Sequence, residues 1–282
     1  MVEDQDPRLA EPPPAGTLER WCFDFILESE LEPKLSPGAP ASPDLESSWE
    51  LDPQPRRLEA PGRPEQWQRV GRSPRTPKLA ALREPEARCR MLHTFLHHEL
   101  QAAELFAWAF LAFPETPREF RAGLLRLCAE ELGHLALYRE HLVRLGGALE
   151  RHGARDWFWE RALSCDSPAA FLAFQGLGLE GANLDHSARF AAGFRAAGDE
   201  VGASLLERVG RDEERHVAFA IRWFEFFQGE LDYGGWCRAL PAPLTPAVFK
   251  GKPLNLSARA RAGMGTDFLD ALEREPPARG PR

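Results

Sequence analysis

The segment AEELGHLALY at residues 129–138 and the segment RDEERHVAF at residues 211–219 each contain a Glu-x-x-His motif. Another glutamate precedes each motif, by 32 residues in one case and 33 in the other. One Glu from each of two helices, with one Glu-x-x-His from each of two others, is a plan by which four-helix bundles hold two metal ions. The six residues of this plan are Glu99, Glu131, His134, Glu180, Glu213 and His216.

Helix start and stop signals around these residues predict four long helices. Proline, alone or in a Thr-Pro or Ser-Pro pair, stands near three of the starts, and glycine follows three of the ends. The predicted spans are 85–112, 117–145, 167–197 and 199–228. Because each hairpin carries Glu first and Glu-x-x-His second, the chain reads as a diverged internal duplication.

The remaining segments flank this bundle. Residues 30 to 84 are rich in Pro, Ser and Arg and have no hydrophobic period, so a connection of that length must wrap over a preformed surface or stay mobile. Trp49 and Trp67 favour docking of this arm. The predicted organisation is a disordered tail at 1–16, a short helix (17–29) and Pro-rich arm within 17–84, the dimetal bundle at 85–230, and a C-terminal extension packing on the bundle at 231–282, with a short helix at 266–274.

Helical spacing places every proposed ligand on an otherwise apolar face. Glu99 follows Phe95 and Leu96 on such a face, whereas Glu104 lies five residues later, about 500° around the helix and so roughly 140° away. Glu104 is therefore predicted to be a surface or polar-network residue, and Asp185 occupies the equivalent place after Glu180.

The chemistry of the ligands favours metal binding. Buried carboxylates neutralise, pair or coordinate metal, because an unpaired buried charge costs tens of kcal/mol by Born estimates. Four carboxylates supply about four negative charges for two divalent cations, and hard oxygen with borderline nitrogen donors suits Fe or Mn. The predicted cofactors are two iron ions, or an Fe/Mn pair.

Two acidic residues adjoin the motifs and have a predicted supporting role. Glu130 precedes the first motif and Asp212 precedes the second. Because metal-bound imidazoles usually donate their second N–H to a carboxylate, we expect each to contact the histidine of the opposite hairpin.

Other residues near the motifs have weaker signals. Tyr138 follows His134 by four residues and lies on the same face. Two roles are open for it: a core tyrosine with a hydrogen-bonded hydroxyl, or a redox-active catalytic residue. His98 lies beside or away from the ligand face and is not expected to bind metal. Arg259 and Arg261 in the tail could bind an acidic substrate, although exposed arginines are usually solvated.

Composition limits the class of protein. The chain has 282 residues, 43% of them hydrophobic, and a formal net charge of −8, which disfavours nucleic acid as a partner. Five dispersed cysteines without a Cys-x-x-Cys pair indicate reduced thiols. The acidic, Pro-rich start lacks the features of a secretory signal, and no apolar run is long enough for a membrane span. We expect a soluble, cytoplasmic protein.

The motif segments resemble those of the ferritin-like di-iron carboxylate superfamily. HHELQAAELFAWA at 97–109 looks like the first-helix ligand segment of rubrerythrin-type proteins, and the two opening segments look like their Glu-x-x-His helices. The resemblance implies a ferritin-like four-helix bundle of two helical hairpins, with the six residues above as ligands. It also matches Asp212 to an aspartate, and Tyr138 to the place of the radical tyrosine, in ribonucleotide reductase small subunits. The chain lacks the rubredoxin module of rubrerythrins, which implies an external electron donor.

A closer resemblance covers most of the chain. HHELQAAELFAWAFLAFPETPREFRAGL at 97–124, EELGHLALYREHL at 130–142 and GKPLNLSARARAGM at 251–264 are similar to a bacterial ferritin-like family known as domain of unknown function 455. This likeness implies the same fold and ligands and names no substrate.

These expectations lead to a functional hypothesis. The leading one is a non-haem di-iron, or Fe/Mn, oxidase or oxygenase that uses O2 or peroxide to oxidise a small organic substrate. The alternatives are a ferroxidase or iron-handling protein and a non-catalytic ferritin-like scaffold, with a tRNA hydroxylase disfavoured by the net charge. A homodimer remains open, and no membrane partner is expected.

Overall fold

A computed structural model of the chain describes residues 11–67, 69–72 and 75–276. The predicted disordered tail at 1–16 lies mostly outside these residues, as does the end of the C-terminal extension beyond 276. Within the described ranges the chain is helical and has no β-strand, only an isolated bridge between Arg69 and Ala154. The predicted all-α fold is confirmed.

The α-helices are α1 (Leu18–Leu27), α2 (Leu31–Leu35), α3 (Pro85–Ala112), α4 (Arg118–Arg144), α5 (Trp157–Ala162), α6 (Pro168–Phe171), α7 (Gly181–Ala196), α8 (Glu200–Gln228), α9 (Tyr233–Ala239), α10 (Leu256–Arg261) and α11 (Thr266–Arg274). A π-helical segment, Leu172–Glu180, joins α6 to α7. Short 3-10 turns lie at Glu46–Ser48, Leu79–Arg83, Leu149–Arg151 and Pro246–Phe249.

Two helical hairpins form a four-helix bundle. One hairpin is α3 with α4, and the other is α8 with the continuous helix made of α6, the π-helical segment and α7. The predicted helix bounds agree with the observed ones to within about one residue. In each hairpin the first helix carries one upstream glutamate of the repeat, Glu99 or Glu180, and the second carries a Glu-x-x-His motif, which is the arrangement that the internal repeat predicted.

The π-helical segment was not predicted. A π-helix forms hydrogen bonds between residues five apart instead of four. Such segments are rare in proteins overall, and those that occur are frequently found at functional sites. Here the segment also packs unusually close to α8. A Cβ added at Gly176 would lie 2.3 Å from the Cβ of Ala220, so only glycine permits this approach without a shift of the helices.

The N-terminal arm is docked on the bundle. The indoles of Trp49 and Trp67 are 8% and 6% exposed, as the sequence suggested. Backbone groups of the arm bond to α3: the N–H of Arg56 donates to the carbonyl of Leu111 at 2.9 Å, and the Trp108 indole donates to the carbonyl of Leu58 at 3.1 Å.

A buried ion network anchors this arm to α3. Glu104 is fully buried and accepts from the Lys34 ammonium at 2.6 Å and from the Arg63 guanidinium at 2.7 Å. Lys34 also donates to the carbonyls of Phe25 and Ile26, which belong to the last turn of α1 and have no partner within that helix. Of the two expected roles for Glu104, the structure supports the polar network.

The C-terminal extension has an equivalent anchor on α7. Asp185 accepts from the backbone N–H groups of Gly251 and Asn255 at 2.9 and 2.7 Å, and from two nitrogens of Arg259 at 3.1 and 2.8 Å. Arg259 is 1% exposed. The expectation that Arg259 could bind an acidic substrate is therefore wrong, because its charge is already neutralised inside the fold. Arg261 is exposed and pairs with Glu214.

None of the helices among the described residues combines the length and the apolarity that crossing a bilayer requires.

Candidate metal centre

The six predicted ligands meet at the middle of the bundle. Each is at most 4% exposed, since each replaces one apolar residue on the inward face of its helix. Their potential ligand atoms form two groups in which all atoms lie within 4.8 Å of one another. One group is Glu99, Glu131, His134 and Glu213, and the other is Glu131, Glu180, Glu213 and His216.

Glu131 and Glu213 belong to both groups, whereas each other residue belongs to one. A carboxylate has two oxygens and can therefore contact two cations at once. Glu131 illustrates this division: one oxygen lies 3.3 Å from Nδ1 of His134 and the other lies 2.7 Å from Nδ1 of His216. These buried groups could hold a metal ion at each of two neighbouring positions.

Several of the buried ligand atoms have no hydrogen-bond partner among the described residues. They are Oε1 of Glu131, Oε2 of Glu213 and Nδ1 of His216. Nδ1 of His216 lies 2.7 Å from Oε1 of Glu131 and 3.0 Å from Oε2 of Glu213, but neither contact has the geometry of a hydrogen bond. Buried polar atoms normally have a partner, and a bound ion is one explanation for those that do not. The donor set fits a metal centre.

Each histidine turns its second ring nitrogen to a carboxylate of the other hairpin. Nε2 of His216 lies 3.0 Å from Oε2 of Glu130, and Nε2 of His134 lies 3.3 Å from Oδ2 of Asp212. These are the contacts that we expected from the sequence. They favour the tautomer with a proton on Nε2, which leaves Nδ1 as the ligand atom in both rings.

Two amides near the ligands were missed by the sequence reasoning. Asn183 donates to Oε1 of Glu213 at 2.8 Å, and Gln175 donates to Oε1 of Glu180 at 2.6 Å. Asn183 lies three residues after Glu180 on the same helix face, so its spacing could have predicted that it lies beside the candidate ligands. The spacing of Gln175 could not have predicted its contact with Glu180, because side chains five residues apart come together in a π-helix and not in an α-helix.

The buried acidic and imidazole groups of the centre shift one another's pKa values. Burial raises the pKa of Glu99 and of Glu180, and neighbouring carboxylates raise both further. Although burial opposes the change, His216 lowers the pKa of Glu131 well below its usual range. Burial also opposes protonation of His134, yet Glu131 raises its pKa to about 9. Without metal, the centre therefore holds protons that a metal ion would displace.

Tyr138 is buried beside the centre. Its ring lies 5.4 Å from that of Phe95, centroid to centroid. Burial, followed by the carboxylates of Glu99, Glu213 and Glu131, raises the pKa of its hydroxyl, so the phenol keeps its proton at neutral pH.

Other polar residues near the motifs have structural contacts. Nε2 of His141 lies 3.0 Å from Asp199, the residue whose side chain caps the start of α8. The His98 ring packs against that of Phe158 with centroids 4.7 Å apart and the rings tilted by 34°, and burial lowers the pKa of His98 to about 3. Neither histidine belongs to the two ligand groups.

One side of the centre opens into a cavity of about 180 Å³. Glu99 and Glu180 line it, whereas the other four ligands do not. Glu99 and Glu180, each of which belongs to only one of the two groups, are therefore the candidate ligands that a small molecule in the cavity can approach.

Residues 30–270 match the family model described as "Protein of unknown function (DUF455)". Because this match covers most of the chain, the protein belongs to that family. No curated protein and no solved structure matches the chain.

Proposed function

We propose that this member of the DUF455 family is a ferritin-like di-iron, or Fe/Mn, oxidoreductase that uses O2 to oxidise a small organic molecule. The observation that carries the proposal is the pair of buried ligand groups that share Glu131 and Glu213. A single structural ion would need only one such group. Two groups with two common carboxylates suit two ions held side by side.

The donor types support iron or manganese. Carboxylate oxygens with two imidazoles suit these metals better than thiolate-bound zinc. When bound, a pair of redox-active ions supplies the electron-transfer reactivity toward O2 that amino-acid side chains lack. Glu130 and Asp212 hold the two imidazoles in place, and the fully buried position of His216 excludes water from its ligand atom.

The cavity supports oxidation of an organic molecule over simple iron storage. Most of its walls are apolar or aromatic side chains, and they stand next to Glu99 and Glu180. A route that only delivered iron ions would be better served by carboxylates along its length. A substrate C–H bond in the cavity would lie beside the metal ligands.

The overall reaction of an oxygenase of this kind requires an external reductant. Insertion of one oxygen atom is balanced as RH + O2 + 2 e⁻ + 2 H⁺ giving ROH + H2O. The described cysteines are all unpaired and dispersed, and four of the five are buried. We therefore assign the two electrons to a separate donor protein or a small reductant.

Tyr138 is a candidate redox residue within this proposal. Its oxidation to a radical would pass one electron to a metal pair oxidised by O2 and would release the phenol proton. The electron paramagnetic resonance spectrum of oxygenated, iron-loaded protein tests this role. A radical signal that disappears in Tyr138→Phe supports it, and a spectrum that the substitution leaves unchanged ends it.

Metal content and oxygen uptake test the main proposal. Protein purified from cells supplied with Fe and Mn is expected to carry about two of these ions per chain by elemental analysis. Iron-loaded protein with a reductant is expected to consume O2, and Glu131→Gln to abolish both properties. Glu140→Gln is the matched control, since Glu140 lies on α4 with its side chain 67% exposed. Protein free of Fe and Mn would refute the proposal.

Oxygen uptake driven by Fe(II) alone, with iron(III) accumulating in the protein, would favour the ferroxidase alternative. A dependence on an organic compound would favour the oxygenase.

A further inference from the structure

The cavity beside the metal centre has aromatic walls. Phe95 on α3 and Trp157 and Phe158 on α5 line it, and Val248 of the 3-10 turn Pro246–Phe249 closes one side. Aromatic rings attract one another in stacked and edge-to-face arrangements that contribute about 0.5–1.5 kcal/mol beyond the burial of area. A planar aromatic ligand would gain these contacts, whereas an aliphatic one would not.

The side chains around the cavity offer no cation to an anionic ligand among the residues that the structure describes. The described residues of its lining include no Lys or Arg, and they carry carboxyl groups only at Glu99 and Glu180. A carboxylate or phosphate on the ligand would lose its hydration without gaining a net counter-charge, because four carboxylate ligands would already balance the charge of two divalent ions, and this is strongly unfavourable in a buried site. His186, at the same cavity, adds no positive charge, because burial lowers its pKa.

One buried polar group of the lining is unpaired. Gln175 is fully buried, and its Nε2 is committed to Glu180. Its Oε1 has no partner among the described residues. A buried acceptor without a partner costs roughly 1–3 kcal/mol, so a ligand that donates an N–H or O–H to it recovers that energy.

We propose that the substrate is a neutral aromatic compound somewhat larger than benzene that carries one N–H or O–H donor. The size follows from the volume of about 180 Å³, given that an apolar cavity of about 150 Å³ accommodates benzene. The assignment rests on the proposed function, because it places the compound against Glu99 and Glu180. Indole and 4-methylphenol have the required size, charge and donor.

Calorimetric titration of the iron-loaded, anaerobic protein tests the assignment with indole, its anionic analogue indole-3-carboxylate, and cyclohexanol as a neutral aliphatic compound. Indole is expected to bind at least about tenfold more tightly than either of the others, a difference of about 1.4 kcal/mol. Tighter or equal binding of the anion overturns the assignment, as does the absence of indole binding at 1 mM.

Val248→Trp supplies the structural control. Val248 is 42% exposed at the rim, so a larger side chain there narrows the cavity without entering the core. It is expected to weaken indole binding at least about tenfold. Val201→Trp is the matched control. Val201 is also a valine, it is 50% exposed, and it lies on α8 away from the cavity, so this substitution is expected to leave indole binding unchanged. Equal effects of the two variants would place the indole elsewhere and overturn the assignment.

Two outcomes separate this assignment from the proposed function. If the protein carries no Fe or Mn but binds indole, and Val248→Trp weakens that binding, the proposed oxidation is refuted and the proposed ligand class is supported. If the protein carries two iron ions but prefers the anion, the ligand class fails while the metal centre stands.

Discussion

Glu130 on α4 accepts a hydrogen bond of 3.0 Å from Nε2 of His216 on α8. Asp212 on α8 stands in the reciprocal relation to His134 on α4, at 3.3 Å. Arg215 lies 3.2 Å from an oxygen of Glu130 and 3.0 Å from one of Asp212. The outer carboxylates therefore connect the two hairpins across the candidate metal centre, with one exposed arginine between them.

Loss of either outer carboxylate is expected to weaken metal binding. Glu130→Gln and Asp212→Asn keep the shape but replace a charged acceptor by a neutral one, so the imidazoles become less basic and less well oriented. Such changes typically reduce metal affinity about 10–100-fold. Titration of metal-free protein with Mn(II) against a chelator measures the affinity, and Glu140→Gln on the exposed side of α4 is the control. Unchanged affinity in both variants would contradict this role.

Substitution of the shared ligands should differ from substitution of the unshared ones. Glu131→Gln and Glu213→Gln each remove a carboxylate from both groups, whereas Glu99→Gln and Glu180→Gln affect one group each. The first pair is expected to lose both ions and the second to retain about one ion per chain, since each intact group keeps its own imidazole. Elemental analysis after gel filtration measures the ratio. Equal losses of metal in all four variants would show that neither Glu131 nor Glu213 is shared between two ions.

The clustering of the six candidate ligands could be predicted from the sequence, because helix geometry decides which faces point inward. Glu99 and Glu104 are both acidic and both buried, yet the 3.6-residue period separates them, and the observed positions follow that separation. The contacts of Glu130 and Asp212 were predicted from their places beside the two motifs, because metal-bound imidazoles usually donate their second N–H to a carboxylate.

The partners of Glu104 could not be found in this way. Arg63 lies 41 residues before it, in a segment without any hydrophobic period, and only the folded arm brings the two together. The burial of Arg259 escaped the sequence reasoning for the same reason, since its partner Asp185 is 74 residues away. The π-helical segment and the cavity depend on packing against α8 and the tail, which local patterns do not encode.

Removal of the Glu104 carboxylate is expected to destabilise the fold. Glu104→Gln leaves the Lys34 ammonium buried without its carboxylate and takes from Arg63 one of its two acidic partners. Breaking a buried pair by removing one member costs roughly 3–5 kcal/mol. The free energy of unfolding in urea measures the loss. A decrease as small as that of Glu140→Gln would mean that water already solvates the two cations.

Mild acid is expected to destabilise the protein through His93. Burial, then the neighbouring His97 and His152, lowers the pKa of His93 to about 4, while its hydrogen bond to the Leu149 carbonyl opposes the change. An unfolded histidine titrates near 6.5. Below that pH the unfolded chain binds more protons, so the contribution of His93 is complete above pH 6.5 and is lost as the pH falls to about 4.

His93→Gln tests this pH dependence, because the amide can still donate to the carbonyl and does not titrate. The free energy of unfolding of the two proteins is measured between pH 7 and pH 4.5. The advantage of the native protein over the variant is expected to shrink by roughly 2–3 kcal/mol over this range. A constant difference would mean that His93 is already solvated in the folded state.

The ion pair of Asp185 and Arg259 is expected to fasten the tail, and its two members should differ in cost. Asp185→Asn leaves a buried guanidinium without a counter-charge, which costs roughly 3–5 kcal/mol. Arg259→Met leaves a carboxylate that still accepts from two backbone N–H groups, so its cost should be smaller. Arg261→Met is the matched control, because this exposed pair is expected to contribute less than about 1 kcal/mol. Urea unfolding gives the order of the three variants. Hydrogen exchange of residues 246–264 should accelerate in the first two and remain unchanged in the control, and an equal rate in all three would place the anchor of the tail elsewhere.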